Sequence, residues 1–313
     1  MATKKKTSTP AVRYLRYELT NSPTPGVETS HYIDLAKDVS ALNRRLYRQG
    51  RCYHVKRVSI VSSNTLPPEP GQNFGRITVA TVPDSWVARN AWRRGFGIWN
   101  DMNKDATRNM SSDIKGTWSD FKIYLSGDHR SGAKLIPKDN GGNNVSFGEW
   151  NYSSYVSSDG TTGADEFEVV FLGNHSGGAG IREYVGLIES YQNSRATVQQ
   201  GDPAVLVAVS DDPLVNLMDD GTTYDEIIDN LEAENDNPPY DPSDYPGSAA
   251  NTPKPLVVQQ TTLGADGRST VGGFSAMCGL IELETTSPVE NDVYSVLVEL
   301  APGSYRGIAA EVI

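Results

Sequence analysis

The chain has 313 residues, 37% of them hydrophobic, with 15 Tyr, 5 Trp and a formal net charge of −11. That apolar and aromatic content excludes wholesale disorder, and no apolar run approaches the roughly 18 residues a membrane-spanning helix needs, so no membrane insertion is expected. The only cysteines, Cys52 and Cys278, lie far apart without Cys-x-x-Cys spacing, which argues for free thiols rather than a disulfide scaffold or a zinc site.

Charge is unevenly placed. Residues 1–57 hold twelve bases against four acids, a local +8, whereas residues 211–253 hold twelve acids and no Lys or Arg. Such polarity points to a nucleic-acid-facing beginning and a solvent-facing acidic segment. Uneven surface charge without that meaning is the plain alternative.

In chain order, residues 1–26 read as a flexible basic arm. Lys4-Lys5-Lys6 lead into polar Ser, Thr and Pro rather than the apolar stretch of a secretory leader; Arg13-Tyr14-Leu15-Arg16-Tyr17, Pro23 and Pro25 follow. The main domain is expected over 27–313. The spacing of Leu35, Val39, Leu42 and Leu46 predicts an amphipathic helix, with Arg44, Arg45 and Arg48 off its apolar stripe. Residues 51–61 and 75–82 then read as strands. A second helix begins near Pro83-Asp84 and carries Trp92, Phe96 and Trp99, weakened by Gly95 and Gly97.

Further period-2 runs cover 121–125, 167–171, 205–209, 280–283 and 294–300. A short helix is expected over 224–231 inside the acidic block, followed by the Pro-rich loop Asn237-Pro238-Pro239-Tyr240-Asp241-Pro242, which cannot sustain helix or sheet. Alternation of this kind, broken by Gly, Pro, Asn and Asp, is the pattern of an all-β sandwich or barrel with large surface loops.

Catalytic chemistry finds little purchase. Four histidines are scattered without metal spacing, and there is no nucleophile elbow, zinc-protease or P-loop motif. Asp211/Asp212 and Asp219/Asp220 read as solvated acids rather than a glycosidase pair. No enzyme, cofactor or metal is expected. The basic clusters are more suggestive, because Lys and Arg neutralise phosphates with no fixed motif and interleaved aromatics stack on unpaired bases. The candidates for nucleic-acid contact are Lys4, Lys5, Lys6, Arg13, Arg16, Arg44, Arg45 and Arg48. The competing reading makes these arginines snorkelling or ion-paired surface residues.

Two stretches carry a resemblance. Ser30-His31-Tyr32-Ile33-Asp34-Leu35 with Asn43-Arg44-Arg45-Leu46-Tyr47-Arg48-Gln49-Gly50, and Val298-Glu299-Leu300-Ala301-Pro302-Gly303-Ser304-Tyr305-Arg306-Gly307, resemble parts of the capsid proteins of circular, Rep-encoding single-stranded DNA viruses. The resemblance implies an eight-stranded antiparallel jelly roll with an inward N-terminal arm. It also implies an icosahedral shell of identical subunits, a packaged circular single-stranded DNA genome, and a place in the virion after assembly in the host cell, the nucleus included. A host receptor is implied without being specified. The arm departs from the long Arg-rich arms of many relatives: only three lysines and two arginines precede Glu18. The rival readings are a lectin-like or appendage β-sandwich with a saccharide-binding aromatic cleft, and a glycan-cleaving enzyme, which needs two facing carboxylates.

Overall fold

Alternating inward and outward side chains set the architecture. The computed structural model describes residues 10–62, 74–108, 118–157, 165–177, 182–193, 255–264 and 266–313. In chain order the elements are β1 (Tyr14–Thr20), β2 (Thr29–Asp34), α1 (Leu35–Asn43), β3 (Arg51–Ser62), β4 (Arg76–Thr81), α2 (Trp86–Thr107), α3 (Gly127–Ser131) and β5 (Ala133–Lys134). Then come β6 (Ser154–Ser157), β7 (Asp165–Val170), β8 (Tyr184–Gly186), α4 (Leu187–Asn193), β9 (Leu256–Thr262), β10 (Arg268–Val271) and β11 (Phe274–Met277). The last are β12 (Leu280–Thr286), β13 (Val293–Leu300), β14 (Pro302–Gly303), β15 (Gly307–Ile308) and β16 (Ala310–Val312).

Two sheets dominate this mostly β structure. One runs β1-β13-β3-β10, with β11 and β16 also paired to β3; the other runs β5-β2-β12-β4-β9. All pairings in both are antiparallel except the two-residue contact of β5 with β2. Their inward faces share one core: Leu15, Tyr17 and Leu19 of β1, Val58 and Ile60 of β3, and Val296 and Val298 of β13 meet Ile33, Ile77, Val79, Ile281 and Leu283 of the second sheet. The arrangement is compatible with a β-sandwich. Between the sheets the chain turns tightly at Cys278 (φ 57°) and Gly279 (φ 70°), where the Gly279 N–H donates to the Ala276 carbonyl. A Cβ on Gly279 would crowd Leu35 and Tyr53, so both the space and the positive φ favour glycine there.

Between β4 and β9 lies a long insertion with its own core. Val87, Ala91 and Trp92 of α2, Phe121, Ile123, Leu125, Phe171 and Leu187 pack on Tyr32, Met277, Cys278 and Leu280 at one end of the sandwich. The small sheet β6-β7-β8 belongs to this insertion. Both cysteines are free and buried in the same cluster.

Several expectations need correcting. The arm does not extend flexibly to residue 26. Residues 14–20 form β1, paired over seven positions with β13, because Leu15, Tyr17 and Leu19 alternate into the core. The first helix ends at Asn43, so Arg44, Arg45, Leu46 and Arg48 lie beyond it; Arg44 caps it in the left-handed region at φ 51°. Residues 121–125 form no strand. They are an extended buried segment with an isolated bridge from Tyr124 to Val170. α2 runs unbroken through both glycines, and Gly95 has a packing reason: a Cβ there would strike Leu187 and the Tyr155 hydroxyl. The expected strand at 205–209, the whole acidic block with its helix and Pro-rich loop, and Lys4, Lys5 and Lys6 lie outside the described residues.

Candidate nucleic-acid interface

Asp34 ends β2 and caps α1, accepting from the Lys37 backbone N–H at 3.1 Å. Three more donors converge on its other oxygen: the Gln49 amide (3.1 Å), the Trp150 indole N–H (3.2 Å) and the Tyr152 hydroxyl (3.2 Å). Burial carries this carboxyl up to about 6 despite those donors. Its neighbour Asp38, also buried, accepts from the Tyr17 hydroxyl at 2.6 Å and is likewise pushed up by burial. Gln49 ties the insertion down: its amide donates to the Ile123 carbonyl (3.0 Å) and accepts from the Ile123 N–H (2.6 Å), standing in for a strand partner.

Above this polar floor opens a cleft of about 900 Å³ between α1 with its following turn and residues 118–122 and 147–153 of the insertion. Three of the five tryptophans (Trp99, Trp118 and Trp150) line it, with Phe147 and Tyr152. So do four cations, Lys37, Arg44, Arg45 and Lys122, and two acids, Asp120 and Glu149. The Lys37 ammonium sits 4.3 Å from the Phe147 ring centroid, and that of Lys122 lies 4.7 Å from Trp150. Burial lowers Lys122 from its usual range. Arg44 and Arg45 are exposed on the rim and make no ion pair among the described residues. Trp118 stands 68% exposed beside them.

A second basic surface lies on the outer face of the sheet that contains β1. Arg16, Lys56, Arg57 and Arg268 are exposed there. Glu299 is covered between Lys56 (2.7 Å) and Arg57 (2.8 Å), and the hydrogen bond from Lys56 holds its carboxyl below the usual range. Arg16 pairs with Glu18 at 2.8 Å, which Lys138 also approaches at 3.8 Å. The face keeps an excess of positive charge.

The expected contact residues therefore divide. Arg16 lies on the sheet face. Arg13 reaches the Leu300 carbonyl at 3.4 Å. Arg44 and Arg45 line the cleft. Arg48 is tied to Asp120 at 2.9 Å and to the Ser119 carbonyl at 3.2 Å, so it serves the framework. The two clusters meet where β1 begins: Val12 exchanges two hydrogen bonds with the Asn43 side chain, N–H to Oδ1 at 2.7 Å and carbonyl to Nδ2 at 3.1 Å. Sequence reasoning missed Lys37, Lys122, Trp118, Phe147 and Trp150, which are loop and helix residues brought together only by tertiary structure. Among the described residues there is no cluster of His, Cys, Asp or Glu able to hold a metal, and no helix long and apolar enough to cross a membrane. Comparison of the chain with known protein families, characterised proteins and solved structures finds no match.

Proposed function

We propose that the chain is the jelly-roll subunit of a self-assembling virus capsid that packages single-stranded DNA through sequence-independent contacts. The strand order supports the jelly-roll part of this reading. With β11 taken as the continuation of β10, and the short β5 and β16 set aside, the remaining eight strands numbered along the chain run 1-8-3-6 in one sheet and 2-7-4-5 in the other. Strand 1 thus pairs with 8, 2 with 7, 3 with 6 and 4 with 5, which is the pairing of one long hairpin rolled into two Greek keys. Jelly rolls also serve lectins and enzymes, so fold alone does not choose among them. The choice comes from charge: the exposed face of the sheet that begins at the N-terminal arm is basic, the arm itself is basic, and the acids are gathered elsewhere in the chain.

Electron microscopy of the purified protein is expected to show uniform closed particles carrying nucleic acid. A stable monomer at high concentration across a range of pH and salt overturns the reading. Replacing Lys4, Lys5, Lys6, Arg13 and Arg16 with Ser or Gln is expected to leave assembly intact, reduce the nucleic acid carried, and flatten the slope of log affinity against log salt by roughly 0.7 per lost contact.

A further inference from the structure

We infer that the tryptophan-lined cleft beside α1 is a stacking pocket for an unpaired nucleotide of single-stranded DNA, with the base on Trp118 or Phe147 and the flanking phosphates on Arg44 and Arg45. The inference rests on the packaging reading and names the place where bases, rather than backbone alone, are held. Exposed aromatics explain the first half. Trp118 offers a largely bare indole, a large apolar surface left in water on a molecule whose other big aromatics are mostly packed away, and any base can stack on such a face. Charge explains the second half. Arg44 and Arg45 carry no acidic partner among the described residues, while one of the two acids present, Asp120, already binds Arg48 and accepts from the Gln49 backbone N–H. The Lys37 and Lys122 ammonium groups stand against aromatic rings, and the four cations of the cleft outnumber its two acids, Asp120 and Glu149, which leaves a net attraction for phosphate. Position adds a third point. The Val12–Asn43 pairing brings the start of β1 to the turn that carries Arg44, so arm and pocket can follow one strand of DNA. A neutral saccharide would find the aromatic platform here, but would leave the charge of Arg44 and Arg45 without a counter-charge.

The test uses the full-length protein, held at a salt and pH where sedimentation shows single subunits. It is titrated with labelled oligo(dT), with an abasic oligomer of equal length and charge, and with a sulfated oligosaccharide of matched charge. Oligo(dT) is expected to bind about ten-fold or more tighter than the abasic chain, the effect of one stacked base. Trp118→Ala is expected to close that gap with an unchanged melting temperature, and the double change Arg44→Gln with Arg45→Gln to weaken both DNA ligands alike. Equal binding of oligo(dT) and the abasic chain, a base preference that survives Trp118→Ala, or sulfated oligosaccharide bound as tightly as oligo(dT) each overturn the pocket. Particles that form and fill without any base preference would sink this inference and leave the capsid reading standing. Base-dependent binding by a protein that never assembles would do the reverse.

Discussion

Inside the sandwich every buried strand residue has a counterpart across a ladder: Tyr17 faces Val296, and Val296 faces Ile60. Beside the cleft, the equally buried Ile123 has no strand neighbour, and the side chain of Gln49 supplies both of its backbone hydrogen bonds. The first region is held by repetition and the second by individual residues. Repetition tolerates replacement of any outward residue, whereas a segment hung on one amide depends on it. The cleft sits on the second kind of ground, where loops can place a Trp or an Arg without regard to a strand period.

The largest effects should come from core truncation. Phe121→Ala in the insertion and Ile60→Ala in the sandwich are each expected to cost about 3–5 kcal/mol in denaturant unfolding. Both should shift one shared transition, because the insertion core packs on Met277, Cys278 and Leu280 of the sandwich; two separated transitions would show that the regions are independent.

Acid comes next. His129 is buried, accepts the Leu125 N–H at Nδ1 (2.9 Å), and is held down to about 3 by burial. A histidine lowered in this way stabilises the fold fully above about pH 6.5, and its contribution is lost as pH falls towards about 3, a span worth roughly 5 kcal/mol. Asp34, raised to about 6, acts with the opposite sign, favouring the fold as pH drops from about 6 to 4. His129→Gln should therefore reduce the loss of stability in acid, as read from melting temperature against pH.

Gln49→Ala tests the tether itself. It strands the Ile123 N–H and carbonyl and removes one donor from the Asp34 carboxyl, for an expected loss of about 2–4 kcal/mol. Amide exchange should quicken at Ile123 before it does so in β3. Smaller still, and opposite in sign, is Arg44→Gly. Glycine accepts φ 51° without strain, so stability should rise by up to about 1 kcal/mol, while binding of single-stranded DNA weakens. The two outcomes together would assign Arg44 to binding rather than to the fold.

The sequence was legible where alternation met a buried face. Runs read at 51–61, 75–82 and 294–300 correspond to β3, β4 and β13 within a residue or two. It misled at β1, where Arg and Tyr on the outward side suggested an arm although Leu15, Tyr17 and Leu19 already marked a strand. At 121–125 the same alternation appears without a sheet, since a period of two records burial on one side and not the identity of the hydrogen-bond partner. Of the cleft, Arg44 and Arg45 were visible as a basic cluster. Trp118, Phe147 and Trp150 were not: all three lie far beyond α1 along the chain, and Trp118 is remote from the Phe147–Trp150 stretch, with nothing local to join them. β9, β10 and β16 were missed because polar, half-exposed strands such as Leu256–Thr262 bury too few side chains to write a pattern.

The two thiols give the molecule an internal clock. Burial pushes the Cys52 thiol up to about 11 and raises that of Cys278 as well, so neither is a thiolate, and hence a nucleophile, while the chain is closed. Alkylation must wait for the structure to breathe. Cys278 marks the two-residue turn that joins the sheets, and Cys52 marks the strand under the insertion. Their separate labelling rates would time how often the sandwich parts at its seam and how often the insertion lifts from it.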